Sequence, residues 1–161
     1  MKKKRIVGIG GYGIARKELS LVTYGLGSCV AVIIYDEEMG IGGMAHIMLP
    51  DGKMNSTKSH PYRFPDTAIP KLLTDLLDKG AKREKLKAKL VGGSNMFSVL
   101  ASREAQEIGK RNVEACREVI ADLGIPIIAE DVGGDYGRTV FFCPLSGKVV
   151  IRSFKAGEKE I

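Results

Sequence analysis

Residues 25–50 read GLGSCVAVIIYDEEMGIGGMAHIMLP, and this stretch decides how the chain folds. Residues 29–35 (CVAVIIY) are almost wholly apolar, the pattern of a strand buried on both faces. Asp36-Glu37-Glu38-Met39-Gly40 supplies a turn, and residues 41–49 return as a second strand. The resulting antiparallel hairpin carries one cysteine on its first strand and one histidine on its second. A two-residue loop at Glu37-Glu38 would set Cys29 directly opposite His46 on one side of the sheet, with Cβ atoms roughly 4.5–5.5 Å apart. A longer loop, or a bulge among Gly40, Gly42 and Gly43, moves that register by one or two residues.

Upstream, residues 19–24 (LSLVTY) form a strand rich in β-branched and aromatic side chains, with Thr23 near its end. Residues 5–9 form a shorter strand running into a glycine-rich turn. Residues 8–13 (GIGGYG) match GxGxxG, but a dinucleotide site also needs a following helix and an acidic residue about 20 positions on. Gly25 and Gly27 break any such helix early, so turn glycines with positive φ explain the motif better.

Downstream, residues 50–65 form a polar, proline-bounded loop of the kind that serves as a lid or binding surface. His60 within it reads as solvated. Residues 66–79 spell an amphipathic helix with Ile69, Leu72, Leu73, Leu76 and Leu77 on one stripe. Asp66 or Thr67 can cap this helix and Gly80 ends it, while Pro70 is tolerable only in the first turn. Residues 86–91 alternate as a half-exposed strand. Asn112 is expected to cap a second helix over 113–123, ended by Gly124, with Cys116 on its apolar face. Residues 125–132 form a strand, 138–145 and 148–154 a hairpin containing Cys143, and 155–161 a frayed end. The order of elements implies an α/β (α+β) fold, a layered sandwich around a mixed, mostly antiparallel sheet.

At 161 residues the chain is expected to be one domain, with an ordered core over 5–155 and a basic tail over 1–4. With 44% hydrophobic and 27% charged residues it is not a disordered chain. The net charge is +6, but the basic runs at 1–5 and 79–89 lack aromatic residues to stack on bases. They read as solvated faces, and no nucleic-acid partner is expected. No run of about 18 apolar residues exists, and the N-terminal run is too short and glycine-rich for a signal segment. The expected location is the cytoplasm, without membrane insertion. The three cysteines, at 29, 116 and 143, form no CxxC pair and imply neither a disulfide framework nor a zinc site.

Cys29 and His46 are the pair suited to joint chemistry. A free thiol is mostly protonated at neutral pH, and an adjacent imidazolium would stabilise its thiolate. The same histidine can protonate a leaving amine and then activate water. A third group normally orients the imidazole, and Thr23 is the available candidate. Backbone N–H groups at Gly27 and Ser28 lie close enough in sequence to hold an oxyanion, with little steric hindrance. From these residues alone two alternatives stay open, a catalytic pair or two satisfied core residues of a buried hairpin.

LGSCVAVIIYD (26–36) with GGMAHIMLP (42–50) resembles the chemoreceptor glutamine deamidase family, CheD. RFPDTAIPKLL (63–73), AKLVGGSNMF (88–97), IGKRN (108–112) and GGDYGRTVFF (133–142) extend the resemblance over roughly residues 5–155. Val91 departs from the phenylalanine that members often carry before the paired glycines. The resemblance implies a cofactor-independent cysteine hydrolase that converts glutamine side chains on chemoreceptor helices to glutamate. Its nucleophile would fall on Cys29, its general acid/base on His46 and its orienting threonine on Thr23. It further implies a fold similar to bacterial glutamine-deamidating toxins and binding to a CheC-type phosphatase. Two other functions remain to be separated: a non-enzymatic phosphatase-binding regulator, and a thiol hydrolase or methylesterase acting on another receptor amide or ester.

Overall fold

The computed structural model describes residues 3–50 and 60–161. In chain order the elements are β1 (Lys4–Ile6), β2 (Tyr12–Arg16), β3 (Ser20–Leu26), β4 (Val30–Asp36), β5 (Ile41–Ile47), α1 (Pro65–Asp78), β6 (Lys87–Gly92), α2 (Arg103–Asp122), β7 (Ile127–Val132), β8 (Arg138–Phe142), β9 (Val149–Ser153) and β10 (Gly157–Glu160). Among the described residues the strands divide into two five-stranded sheets, a central one ordered β2-β5-β4-β6-β7 and an outer one ordered β1-β3-β8-β9-β10. Each is antiparallel except at one edge, where β6 pairs β7 and β1 pairs β3 in parallel. The expected mixed, mostly antiparallel character therefore holds, shared between two sheets.

Three layers result. On β4, Val30, Val32 and Ile34 face α1 and α2, while Ala31, Ile33 and Tyr35 face the outer sheet. The wholly apolar run is thus explained by burial on both faces, as a strand between two cores requires. From α1, Ile69, Leu72 and Leu76 are fully buried on the helix side. Each such side chain contributes roughly 1.5–3 kcal/mol of burial. From the outer sheet, Leu21, Val140, Phe142, Val149 and Ile151 fill the space between the sheets.

The β4–β5 hairpin differs from expectation in register. Asp36 pairs Ile41, so the loop is four residues, 37–40, and Ala31 rather than Cys29 stands opposite His46. Because side chains alternate with period two, a shift of two leaves Cys29 and His46 on the same face. Gly42 and Gly43 make no bulge. A Cβ on Gly42 would meet the Phe142 ring at 2.6 Å, and one on Gly43 would meet Leu72 at 2.4 Å. These glycines let both cores pack directly onto β5.

The glycine-rich match at 8–13 leads into β2, which pairs with β5, so its context is a turn between strands and not a nucleotide-binding helix. Helix α1 starts at Pro65 without a side-chain cap, and Pro70 lies beyond its first turn. Helix α2 starts ten residues before Val113, capped by Ser102, whose Oγ accepts from the Ala105 N–H at 3.1 Å. Asn112 is interior and buried. The chain end does not fray either, since Gly157–Glu160 pairs with β9. Strand β6, expected half-exposed, is buried over nearly its whole length because β4 and β7 flank it. Of the expected lid at 50–65, residues 51–59 lie outside the described residues, and His60 is exposed.

Candidate active site

Thr23 and His46 come from different sheets and meet between them. Thr23 Oγ1 lies 2.8 Å from His46 Nδ1 and 2.7 Å from the Val7 carbonyl oxygen, and both side chains are fully buried. A hydroxyl has one proton, and a carbonyl can only accept. Thr23 therefore donates to Val7 and accepts from His46 Nδ1–H. This fixes the imidazole tautomer with its Nε2 lone pair free. Nε2 is buried and has no hydrogen-bond partner among the described residues.

The backbone of His46 is braced from the glycine-rich turn. Gly10 N–H donates to the His46 carbonyl at 3.1 Å, and His46 N–H donates to the Gly11 carbonyl at 3.0 Å. On β3 the ladder is interrupted between Thr23 and Leu26, and Gly25 takes a φ of 67°. Such a bulge bends the strand and redirects the chain beyond it. Here it leads from Thr23 into the loop that carries Cys29.

Cys29 sits just before β4, half-buried, packed against the core between the sheets and two positions along from the residue opposite His46. Within a ladder that diagonal spacing is roughly 7–8 Å, and Cys29 stands one residue before the first paired position, Val30. No hydrogen bond joins the thiol to Nε2 in this structure. Catalytic hydrogen bonds tighten when a substrate binds, so this apo geometry is compatible with a working pair.

Three consecutive carbonyls of the Cys29 loop are held from behind. Gly27 O accepts from Ser94 N–H at 2.9 Å, Ser28 O from Asn112 Nδ2 at 2.9 Å, and Cys29 O from Gly93 N–H at 2.8 Å. No peptide bond among the described residues is cis, so each of these N–H groups points opposite to the carbonyl of its own peptide unit. Pinning the carbonyls of Gly27 and Ser28 thus aims the N–H groups of Ser28 and Cys29 the other way, one residue along from the expected Gly27 and Ser28 pair. Gly92 makes this approach possible. Its φ is 117°, and a Cβ there would stand 2.3 Å from the Cys29 carbonyl oxygen.

Burial governs the charges. It pushes the Cys29 thiol above its ordinary range, partly offset by the residue's own backbone N–H, and lowers His46 to about 4. The resting pair at neutral pH is a thiol and a neutral imidazole, not the imidazolium–thiolate pair expected from the residue types. A neutral base with a fixed lone pair beside a half-exposed thiol can perform nucleophilic acyl transfer with general-base assistance.

Behind the loop lies a buried ion pair. Arg138 Nε stands 3.1 Å from Asp131 Oδ2, and its Nη1 donates to Ser94 Oγ at 2.7 Å and to the Gly133 carbonyl at 2.9 Å. Sequence reading missed Val7, Ser94, Asn112 and Arg138 as contributors. Val7 acts through its carbonyl, which leaves no trace in sequence, and the others stand in recognisable blocks without any chemical signature of their own. Cys116 is buried in the helix-side core, as expected. Among the described residues no group of three or more His, Cys, Asp or Glu side chains could hold a metal ion. A groove of about 610 Å³ lies elsewhere, on the outer sheet beside Tyr24, Phe141 and Phe154.

Fold and site together are those of a layered α+β protein with a bonded threonine–histidine pair buried between its sheets and a half-buried cysteine packed against the same core. A family model described as CheD chemotactic sensory transduction matches residues 48–153, which begins just beyond His46. Full-length relatives span the rest. A "probable chemoreceptor glutamine deamidase CheD 1" of Methanosarcina acetivorans is 44% identical over 97% of this chain and 96% of its own length. A "chemoreceptor glutamine deamidase CheD" of Halalkalibacterium halodurans is 44% identical over 96% of each. A probable one of Clostridium novyi is 43% identical over the whole of both chains. The chain belongs to the CheD family. The crystal structure of the Bacillus licheniformis hypothetical protein YfiH superposes with a TM-score of 0.45 at 15% identity, over 81% of this chain and 60% of that one.

Proposed function

We propose that this protein hydrolyses glutamine side-chain amides of chemoreceptors to glutamate, with Cys29 as nucleophile. The observation that carries the mechanism is the Thr23–His46 hydrogen bond, which leaves Nε2 as a free base on the face that bears Cys29. His46 takes the thiol proton as sulfur attacks the carboxamide carbon, and the N–H groups of Ser28 and Cys29 face the developing oxyanion. The imidazolium then protonates the departing ammonia, leaving a thioester. Water deprotonated by His46 releases the glutamate. Chemoreceptor glutamine deamidase is what the relatives are named for, and a half-exposed thiol suits a side chain presented on a protein surface.

A CheC-type phosphatase is the second partner we propose. The chain following Ser94 carries exposed Met96 and Phe97, then Val99 and Leu100 at 88% and 93% exposure. Met96 approaches Gly27, so this apolar run borders the Cys29 loop. Receptor and phosphatase would compete for that edge. No helix among the described residues is long and apolar enough to cross a membrane, in keeping with the cytoplasmic location we propose. The deciding experiment incubates receptor cytoplasmic fragments with the protein and measures ammonia release and peptide masses. Glutamine-to-glutamate conversion supports the proposal. Loss of methyl ester with glutamines intact would make the protein an esterase, and phosphatase stimulation without either product would make it a regulator.

The Thr23–His46 contact can be tested on its own. Thr23→Val keeps the shape but leaves the Val7 carbonyl and His46 Nδ1–H unpaired. The kcat should drop about 100-fold through loss of ring orientation, and unfolding free energy by about 1–3 kcal/mol per unpaired group. Thr23→Ser should recover most of both.

The acid limb of kcat/KM should lie near pH 4, where His46 titrates in the free protein. Stability should change in the same direction. His46 binds its proton near pH 6.5 when unfolded and near 4 when folded. Across that window the unfolded chain holds more protons, so stability rises with pH. The contribution is complete above about 6.5 and is lost by about pH 4, amounting to roughly 3 kcal/mol. Urea unfolding of the wild type and of His46→Asn at several pH values reads this directly, since the variant should lack that part of the slope.

A further inference from the structure

Asn112 occupies the buried stripe of α2, with Gly109, Val113, Cys116 and Ile120. Its Nδ2 donates to the Ser28 carbonyl at 2.9 Å and to the Met48 carbonyl at 3.0 Å. Two carbonyls can be met only by the two N–H bonds of the amide, which fixes its orientation. Its Oδ1 is buried and unpartnered among the described residues. A buried unpaired acceptor costs stability and packs less well than an apolar side chain, but an apolar residue at this stripe position would take the donor from both carbonyls. The position therefore keeps donors at the expense of packing, a local conflict typical of functional sites.

The two carbonyls it joins are telling. Ser28 precedes the candidate nucleophile, and Met48 lies two residues beyond the candidate base. Each belongs to a different chain segment, and no ladder pair links Ser28 to Met48, because β4 and β5 pair only from Val30–Ile47 inward. One side chain from a helix thus closes the hairpin at its open end. We infer that Asn112 is a positioning residue for the reaction: it sets the spacing of Cys29 from His46 and turns the Ser28–Cys29 peptide so that its N–H faces the reacting carbonyl. This rests on the proposed roles of Cys29 and His46.

Asn112→Asp is nearly isosteric and removes both donors. The kcat for ammonia release should fall about 100-fold with KM within about twofold. The rate of iodoacetamide alkylation at Cys29, read by peptide mass spectrometry, should fall in parallel while that at Cys143 does not. The loss should be smaller at pH 5 than at pH 8, because a protonated carboxyl regains one donor. A folded variant with wild-type kcat and wild-type Cys29 alkylation overturns the inference, as does an effect confined to KM. The alkylation arm needs no receptor substrate, so it still decides if the wild type releases no ammonia and the deamidase proposal itself fails. Should Asn112→Asp not fold, the wild type answers by NMR. Alkylating Cys29 should move the Asn112 side-chain amide proton resonances, and unmoved resonances overturn the inference.

Discussion

Cys29→Ala should abolish ammonia release from receptor fragments, a loss on the order of 10⁴-fold or more, while leaving the fold intact. The thiol is half-buried at the rim of the core between the sheets, so its removal opens no closed cavity. Without the sulfur there is no thioester, and the remaining amide dipoles and imidazole act only on water. His46→Ala should lose about 10²–10⁴-fold, the usual contribution of a positioned acid–base group. It should also destabilise the protein, because Thr23 Oγ1 would lose the donor it accepts from inside a closed core. The double variant should be no slower than Cys29→Ala, since nucleophile and base act as one unit. Single-turnover ammonia assays paired with thermal melts separate the two effects. Wild-type turnover by either folded single variant would remove that residue from the site.

The second large effect is on stability, at the ion pair behind the site. Arg138 is almost fully buried and distributes its guanidinium over Asp131, Ser94, the Gly133 carbonyl and the Tyr136 hydroxyl, with Tyr136's ring 4.5 Å away. Asp131 also meets Lys159 at 2.6 Å. Arg138→Leu should cost about 3–5 kcal/mol in urea unfolding, because it leaves a carboxylate and several acceptors buried without their main donor. Arg138→Leu combined with Asp131→Leu should recover part of that loss, as apolar replacement of both partners usually does. Activity should fall further than stability alone explains, since Ser94 both receives the Arg138 bond and holds the Gly27 carbonyl. A cost under about 1 kcal/mol would mean that water replaces the guanidinium, and the ion pair would then not be what holds this turn.

The candidate site was legible to different depths. Cys29 and His46 stood out because a hairpin with an acidic turn was readable from its apolar runs. The loop is two residues longer than the apolar runs imply, and strand parity keeps both residues on one face all the same. Thr23 stands out in sequence by its place at a strand end, yet the reason it serves lies elsewhere: it sits in the opposite sheet and uses the Val7 carbonyl to fix the tautomer. Asn112 reads as a helix cap, the role its type favours when it stands before an apolar stripe. Only the packing of α2 across the hairpin's open end shows that its amide is used internally. The imidazolium expected beside the thiol failed for a related reason, because desolvation depends on how many layers cover a residue.

By itself the sequence determined what alternation and local chemistry encode: a doubly buried hairpin, an amphipathic helix, and one cysteine and one histidine on one face. Period two makes the face of a strand residue independent of even shifts in register, so that conclusion survived a wrong loop. The tertiary structure alone decided the division into two sheets, the partner of each polar group and the protonation of the pair. Those depend on contacts between residues 16 to 84 positions apart, which form only when the layers pack and water leaves the space between them.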